Sequence, residues 1–468
     1  MDNESFRRHA HEIVDWMADY MGDVESYPVR AQVKPGDIAA QLPLAAPDAP
    51  APMADIFRDF KDIVMPGITH WQHPNFFAYF PANSSPPSVL AEMLTATVAA
   101  NCLLWQTSPA ATEMETRILD WLRQMIGLDD GFTGVIQDSA SSASLCAILT
   151  ARERATDWRT NESGLSGAPP LAIYASTETH SSVEKDARIA GIGRQFVRKV
   201  PVDSNFAMRP DALTRAIAAD RADGVTPALV VATLGTTGVG AVDPLRAIGE
   251  ICERENIYLH VDAAWAGSAL ILDDYRWMID GIEAVDSFVF NPHKWLLTNF
   301  DCSAHFIRDP DTLIRTLSIL PEYLKTKTAD DSGAVIDYRD WSVPLGRRFR
   351  ALKLWFVLRS YGVDGLRRMI ADHIAWTAEL ADLVAAAPDF EIAAARNLAL
   401  FNFRYRPASL DNAAEIDALN ENLLNAINDD GRIYLTQNRV NNRYVIRFCV
   451  GQTNTTRDHV LGAWDVIQ

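Results

Sequence analysis

Along the chain the spacing of apolar residues changes character several times, and each change marks a structural element. Phe6, Ile13, Val14, Met17, Tyr20 and Met21 recur at three- and four-residue intervals, predicting one amphipathic helix over residues 4–24. The connector LPLAAPDAPAPMA carries four prolines and reads as extended chain. A second short helix, ADIFRDFKDIVMPG, stops at Pro66 and Gly67. Two helices cannot bury their apolar faces alone, so this segment needs a surface to lie on, and a partner subunit is one candidate.

From about Pro81 to Leu352 helical stretches such as ATEMETRILDWLRQMIG alternate with compact apolar runs: GVIQ, LAIYAS, ALVVATLG, IYLHVD and SFVFN. Short runs without polar alternation suit strands covered on both faces, the mainly parallel sheet of an α/β fold. In such sheets ligands gather at the carboxyl ends of the strands. LKLWFVLRSYG then opens a long helical region, followed by the strand-like FEIAAARNLALFNFRYR, a helix, the strand-like YLTQNRVNNRYVIRFCV and a last helix from about Thr456. The expected division is a helical segment over 1–81, a large domain over 82–352 and a small α+β domain over 353–468.

Composition narrows the function classes. A net charge of −18 on 468 residues argues against a nucleic-acid or anionic-membrane surface. No stretch approaches the roughly 20 consecutive apolar residues that span a bilayer. The start lacks a signal-peptide apolar block and reads as mature sequence. Cys102, Cys146, Cys252, Cys302 and Cys449 are scattered with no CxxC pair, so neither a disulfide framework nor a zinc site is expected. These features fit a cytoplasmic globular protein.

Chemistry-bearing residues collect where the predicted strands end. Asp262 closes IYLHVDAAWAG ahead of two alanines. A carboxylate there serves as a cap or ion pair, or it faces a cationic ligand that the small Ala263 and Ala264 allow to lie flat. Lys294, in DSFVFNPHKWLLTNF, follows 32 residues later (294 − 262). It either snorkels its amine to water or keeps that amine for attack on a carbonyl. An acid and a lysine on neighbouring strand ends match the two ends of pyridoxal phosphate. In GVIQDSASSASL, Ser139, Ala140 and Ser141 stand between a strand and a helix, either as caps or as a phosphate cradle. His180 follows LAIYAS, where an imidazole can stack on a ring, and Gly235, Thr236 and Thr237 end ALVVATLG. Five consecutive strand ends fit one cofactor. Neither a GxGxxG fingerprint nor a GxxxxGK[ST] loop occurs, which lowers the nucleotide alternatives.

The stretches NPHKWLL, HVDAAWAGS, THSSVEKD, ATLGTTG and PLGRRFRALKLWF resemble the group II pyridoxal-phosphate decarboxylases, most of all the aromatic-L-amino-acid decarboxylase type. The similarity runs over essentially the whole chain. It implies the fold type I (aspartate aminotransferase-like) architecture and a homodimer. It also implies Lys294 as the Schiff-base lysine, Asp262 as partner of the pyridine nitrogen and His180 as the stacking group. Ser139, Ala140, Ser141 and Asn291 would hold the phosphate, and Thr237, Ala264 and His293 would line the cofactor. Tyr323, in LPEYLKTKTADDSG, matches the loop tyrosine used as, or near, the proton donor. On the substrate side Trp71, Tyr79, Phe80 and Pro81 match the aromatic pocket, with Gly346 on its wall. Asn101 and Leu103 replace an apolar and an aromatic residue of the animal enzymes, Ala82 a common threonine, and Asp138 a glycine before the serine pair.

The implied reaction is decarboxylation of an aromatic L-amino acid of the Trp, Phe, Tyr or DOPA type to its amine and carbon dioxide. The nearest alternatives are an aromatic aldehyde synthase, whose members tend to carry phenylalanine at the place of Tyr323, and a decarboxylase of a non-aromatic amino acid. An acidic substrate would call for a dedicated cation such as Arg339, but the resemblance implies an arginine there with aromatic substrates as well. From another class comes a metal-dependent hydrolase on His260, Asp262 and His293. It is set aside, and no metal is expected, on the reading that His260 and Asp262 face opposite sides of their strand.

Overall fold

The computed structural model describes residues 1–319 and 335–468. The continuous apolar runs form strands: β1 (Thr133–Gln137), β2 (Leu171–Ser176), β4 (Thr226–Thr233), β5 (Tyr258–Asp262) and β6 (Ser287–Phe290). Two further strands carried weaker signals. β3 (Val197–Val200) is a four-residue edge strand with Arg198 and Lys199 at its centre, and β7 (Ser303–Ile307) buries His305.

The seven strands lie in the order β1-β7-β6-β5-β4-β2-β3. Pairs β2/β3, β2/β4, β4/β5 and β5/β6 are parallel, whereas β7 runs antiparallel to both β1 and β6. All strands except β7 therefore point one way. The carboxyl ends of β1, β2, β4, β5 and β6 share one edge, although they are not consecutive, because β7 separates β1 from β6. Helices cover the sheet through apolar contacts. Ile148 and Ala151 of helix Ala140–Ala155 join Val183 and Ala187 of helix Ser182–Ile189 over Ile173, Leu229 and Val231 in one buried cluster.

The chain groups into two compact units. The larger comprises Ala82–Ala375 and Ala394–Phe401, the smaller Met1–Pro81, Trp376–Ala393 and Asn402–Gln468. Within the smaller unit, helix Asn3–Gly22 buries no residue. Its Trp16 packs edge-on against Phe57 and Phe60, with ring centroids 5.9 and 5.2 Å away. Tyr20 bonds through its hydroxyl to His70 Nδ1 at 2.8 Å. The carboxyl-terminal pattern appears as read: β8 (Phe390–Asn397), β9 (Leu400–Tyr405), helix Ala413–Asp430, β10 (Thr436–Val440), β11 (Arg443–Cys449) and helix Arg457–Ile467. The preceding helical run, Ala351–Ala386, is interrupted at Gly362, whose φ of 65° belongs to the left-handed region.

Candidate active site

At the end of β1 the chain turns into helix Ala140–Ala155 with Ser139 as its cap. Ser139 is extended (φ −150°, ψ 158°), and its hydroxyl accepts from the Ser142 N–H at 3.2 Å. The Ala143 N–H reaches the Ser139 carbonyl at 3.2 Å. An α-helix leaves its first four amides without intrahelical partners. The Ala143 bond is the first intrahelical one; of the four amides before it, that of Ser139 donates to Asp138 Oδ1 at 3.0 Å and that of Ser142 to the Ser139 hydroxyl, so the N–H groups of Ala140 and Ser141 stay open in a half-buried setting. Serine as cap and serine as anion cradle are thus compatible readings: the hydroxyl caps one amide while small side chains leave two others accessible.

His180 stands past the end of β2. Its Nδ1 accepts from the Ser182 N–H at 3.2 Å and pairs with the Ser182 hydroxyl at 2.9 Å. A backbone amide can only donate, so Nδ1 is an acceptor and the neutral ring carries its proton on Nε2. Burial pushes the pKa of His180 below the ordinary imidazole value; Asp262 pulls it up and Lys294 presses it further down. The imidazole therefore lies within the fields of both groups.

Asp262 ends β5 nearly buried, and its Oδ1 accepts from the Ala264 N–H at 3.0 Å. Gly235, after β4, adopts φ 82°, and a Cβ there would meet the Cβ of Ala266 at 2.6 Å. The loop after β4 can approach the segment beyond Asp262 only because this residue lacks a side chain. Thr237 is exposed on that loop.

Lys294 follows β6 on the short helix Pro292–Trp295, and its side chain is half-buried. Asn291 ties this turn to the Asp262 strand, its N–H donating to the Ala264 carbonyl at 2.9 Å. The Asn291 Oδ1 accepts from the Ser303 hydroxyl at 2.7 Å. His293 is buried, and its Nδ1 accepts from the Cys302 N–H at 2.8 Å. Burial, with the charge of Lys294 adding, pushes its pKa down to about 3, so the ring is neutral. One sheet edge therefore holds a carboxylate, an imidazole, an amine and open helix amides. In kind, these are the groups that a phosphorylated pyridine aldehyde requires.

His260 is not part of this set. Residues two apart on a strand share a face, so the pleat does not separate His260 from Asp262, contrary to the expectation. What removes His260 is its surroundings. It is fully buried, with Nδ1 2.7 Å from the Ser287 hydroxyl and Nε2 3.2 Å from that of Ser144.

Among the residues expected on the substrate side, Asn101 and Gly346 come together. The Asn101 Oδ1 accepts from the Arg347 N–H at 3.1 Å, and its Nδ2 lies 4.0 Å from where a Cβ on Gly346 would stand. Leu103 accepts through its carbonyl from the Arg339 N–H at 3.0 Å. In the smaller unit, Trp71 and Tyr79 stack with centroids 5.7 Å apart and planes at 19°. Phe80 carries the Arg447 guanidinium 4.6 Å from its ring centre, and Pro81 is buried beside it in sequence. Tyr323 lies outside the described residues.

Residues 35–406 match the conserved domain of the pyridoxal-dependent decarboxylases. The chain belongs to that family. This decarboxylase is 44% identical to tyrosine decarboxylase 2 of Narcissus pseudonarcissus, over 100% of its own length and 94% of that protein's. It is 42% identical to phenylacetaldehyde synthase of Arabidopsis thaliana, over 100% and 96% of the two chains. The crystal structure of Oryza sativa TDC with PLP and tryptamine superimposes with a TM-score of 0.96 at 38% identity, covering 100% of this chain and 97% of that one. The decarboxylase is a carboxy-lyase with pyridoxal phosphate as its cofactor, as the sequence resemblance implied.

Three supporting residues of the decarboxylase escaped the sequence reading. Asn83 donates its N–H to the His293 carbonyl at 2.8 Å and its side-chain amide to the Lys294 carbonyl at 2.5 Å. Ser182 sets the His180 tautomer, and Ser303 orients Asn291. Ser182 was visible as the second serine of THSSVEKD, whereas nothing local marks Asn83 or Ser303, which act across long sequence separations.

Proposed function

We propose that this protein decarboxylates an aromatic L-amino acid to the corresponding aromatic amine and carbon dioxide, as a cytoplasmic homodimer. The observation that carries the reading is the grouping of Asp262, His180 and Lys294 at the carboxyl ends of β5, β2 and β6 along one sheet edge. The aromatic substrate rests on full-length similarity to a tyrosine decarboxylase. Five free, buried cysteines suit a reducing compartment. The exposed face of helix Pro86–Val98, with Leu90, Leu94 and Val98, suits a second subunit.

When bound, pyridoxal phosphate supplies an aldehyde that takes the substrate amine and a ring that draws electrons from the bond to the carboxylate. Asp262 would hold a proton at the ring nitrogen, and Lys294 would offer its amine to the aldehyde carbon. His180, neutral with its proton on Nε2, would face the ring. Ser139, Ala140, Ser141 and Asn291 would hold the phosphate; Thr237, Ala264 and His293 would line the remaining surface. By the resemblance, Trp71, Tyr79, Phe80, Pro81, Asn101, Leu103 and Gly346 would each face the substrate side chain. Tyr323 returns a proton to the substrate carbon, which separates amine formation from the aldehyde formation of the synthases.

The test is product analysis with L-tryptophan, L-tyrosine, L-DOPA, L-phenylalanine and L-glutamate beside an oxygen electrode. Amine and carbon dioxide in equal amounts, without oxygen uptake, are expected from an aromatic substrate. Aldehyde with stoichiometric oxygen consumption, or turnover of glutamate alone, would overturn the reading.

A further inference from the structure

We propose that Asp138 weakens the grip of this decarboxylase on the phosphate of its cofactor, so that the loaded fraction follows the supply of pyridoxal phosphate. The inference rests on the reading that Ser139, Ala140 and Ser141 hold that phosphate.

Asp138 stands immediately before the cap, half-buried. Its Oδ1 accepts from the Ser139 N–H at 3.0 Å. Two effects follow. A donor at the mouth of the cradle is diverted to a side chain of this chain, leaving the Ala140 and Ser141 amides for an incoming anion. A fixed negative charge also sits next to the place where a second one must bind.

The neighbouring cation does not cancel that charge. Arg350, whose positive form Asp138 favours, already donates through Nε and Nη2 to Asp301 at 2.8 and 3.3 Å. The guanidinium thus gives its side-chain hydrogen bonds to Asp301 and none to Asp138. Beside a phosphate in a half-buried site, one like charge without a hydrogen-bonded cation changes affinity by roughly tenfold even after screening. The helix start favours anions in general. Here a side-chain carboxylate already occupies part of that preference.

The experiment uses the full-length protein, stripped of cofactor and titrated with pyridoxal phosphate while its visible absorbance is followed. Asp138→Asn keeps an oxygen for the Ser139 N–H but removes the charge, and its Kd is expected to fall about tenfold. Asp138→Gly, which removes both oxygen and charge, is expected to tighten binding at least as much. Pyridoxal without its phosphate is expected to bind wild type and Asp138→Asn equally. Unchanged or weaker binding of pyridoxal phosphate by Asp138→Asn, or an equal gain with pyridoxal, overturns the inference. If Ser139→Ala leaves pyridoxal phosphate affinity untouched, the phosphate assignment itself fails, whatever Asp138 does.

Discussion

The side-chain amide of Asn83 donates to the carbonyl oxygen of Lys294 at 2.5 Å, and the Asn83 N–H donates to that of His293 at 2.8 Å. A residue 211 positions away thus holds the four-residue helix that carries Lys294. So short a helix has almost no intrinsic stability, and its geometry depends on such outside partners. Asn83→Ala removes the side-chain bond and leaves a carbonyl short of a donor, costing about 1–3 kcal/mol locally. The expected result is a roughly tenfold lower kcat with faster loss of cofactor on dialysis, while circular dichroism stays unchanged. Wild-type cofactor retention in the variant would assign Asn83 to the fold alone.

For Asp262 the informative change is to asparagine, which keeps an acceptor for the Ala264 N–H and removes only the charge. Holding a proton on the cofactor's ring nitrogen needs that charge, so kcat should drop by roughly a hundredfold with the melting temperature nearly unchanged. If Asp262→Asn works at full rate, the carboxylate is a cap and nothing more.

His260 offers a pH test of stability rather than of catalysis. Burial holds its pKa at about 4 in the folded chain, against an ordinary 6.5. The unfolded chain therefore takes up the proton first as pH falls, and stability drains away from about 6.5 down to about 4. One such group costs about 1.4 kcal/mol per pH unit inside that window. His260→Gln cannot take up that proton, so its stability should fall about 2 kcal/mol less than the wild type's between pH 7 and pH 5. Urea unfolding at the two pH values decides; equal losses would mean that His260 is protonated without strain in the folded chain.

The proposed homodimer makes the exposed face of helix Pro86–Val98 an interface. Leu94 and Val98 are 47% and 65% exposed and one turn apart, so a pair of glutamates there places two charges on a single face. Light scattering of Leu94→Glu/Val98→Glu should show monomer at concentrations where the wild type is dimeric, with activity lost in parallel. A dimeric, active double variant would place the interface elsewhere.

How much of this was legible beforehand differs between the sheet edge and its supports. The strands ending at Gln137, Ser176, Thr233, Asp262 and Phe290 announce themselves because a strand covered on both faces has no polar alternation to interrupt it. Once those ends are located, Ser139, His180, Asp262 and Lys294 fall at them by chain order alone. Local sequence likewise determines the carboxyl-terminal helices and hairpins, through periodicity and turn residues within a few positions.

Sheet order was not legible. Hydrophobic pattern carries no direction, so the reversed β7 between β1 and β6, and the edge strand β3, emerged only when the strands paired. The supports are equally tertiary. Asn83 on the Lys294 helix, Ser303 on Asn291 and Arg347 on Asn101 span separations of 211, 12 and 246 residues. The protonation of His180 and His293 also belongs to the folded chain, because burial and neighbouring charge set it and neither exists until distant segments meet. Sequence determined which groups stand at the strand ends. Packing decided which of them share a site, because proximity across the chain is a property of the fold and not of its order.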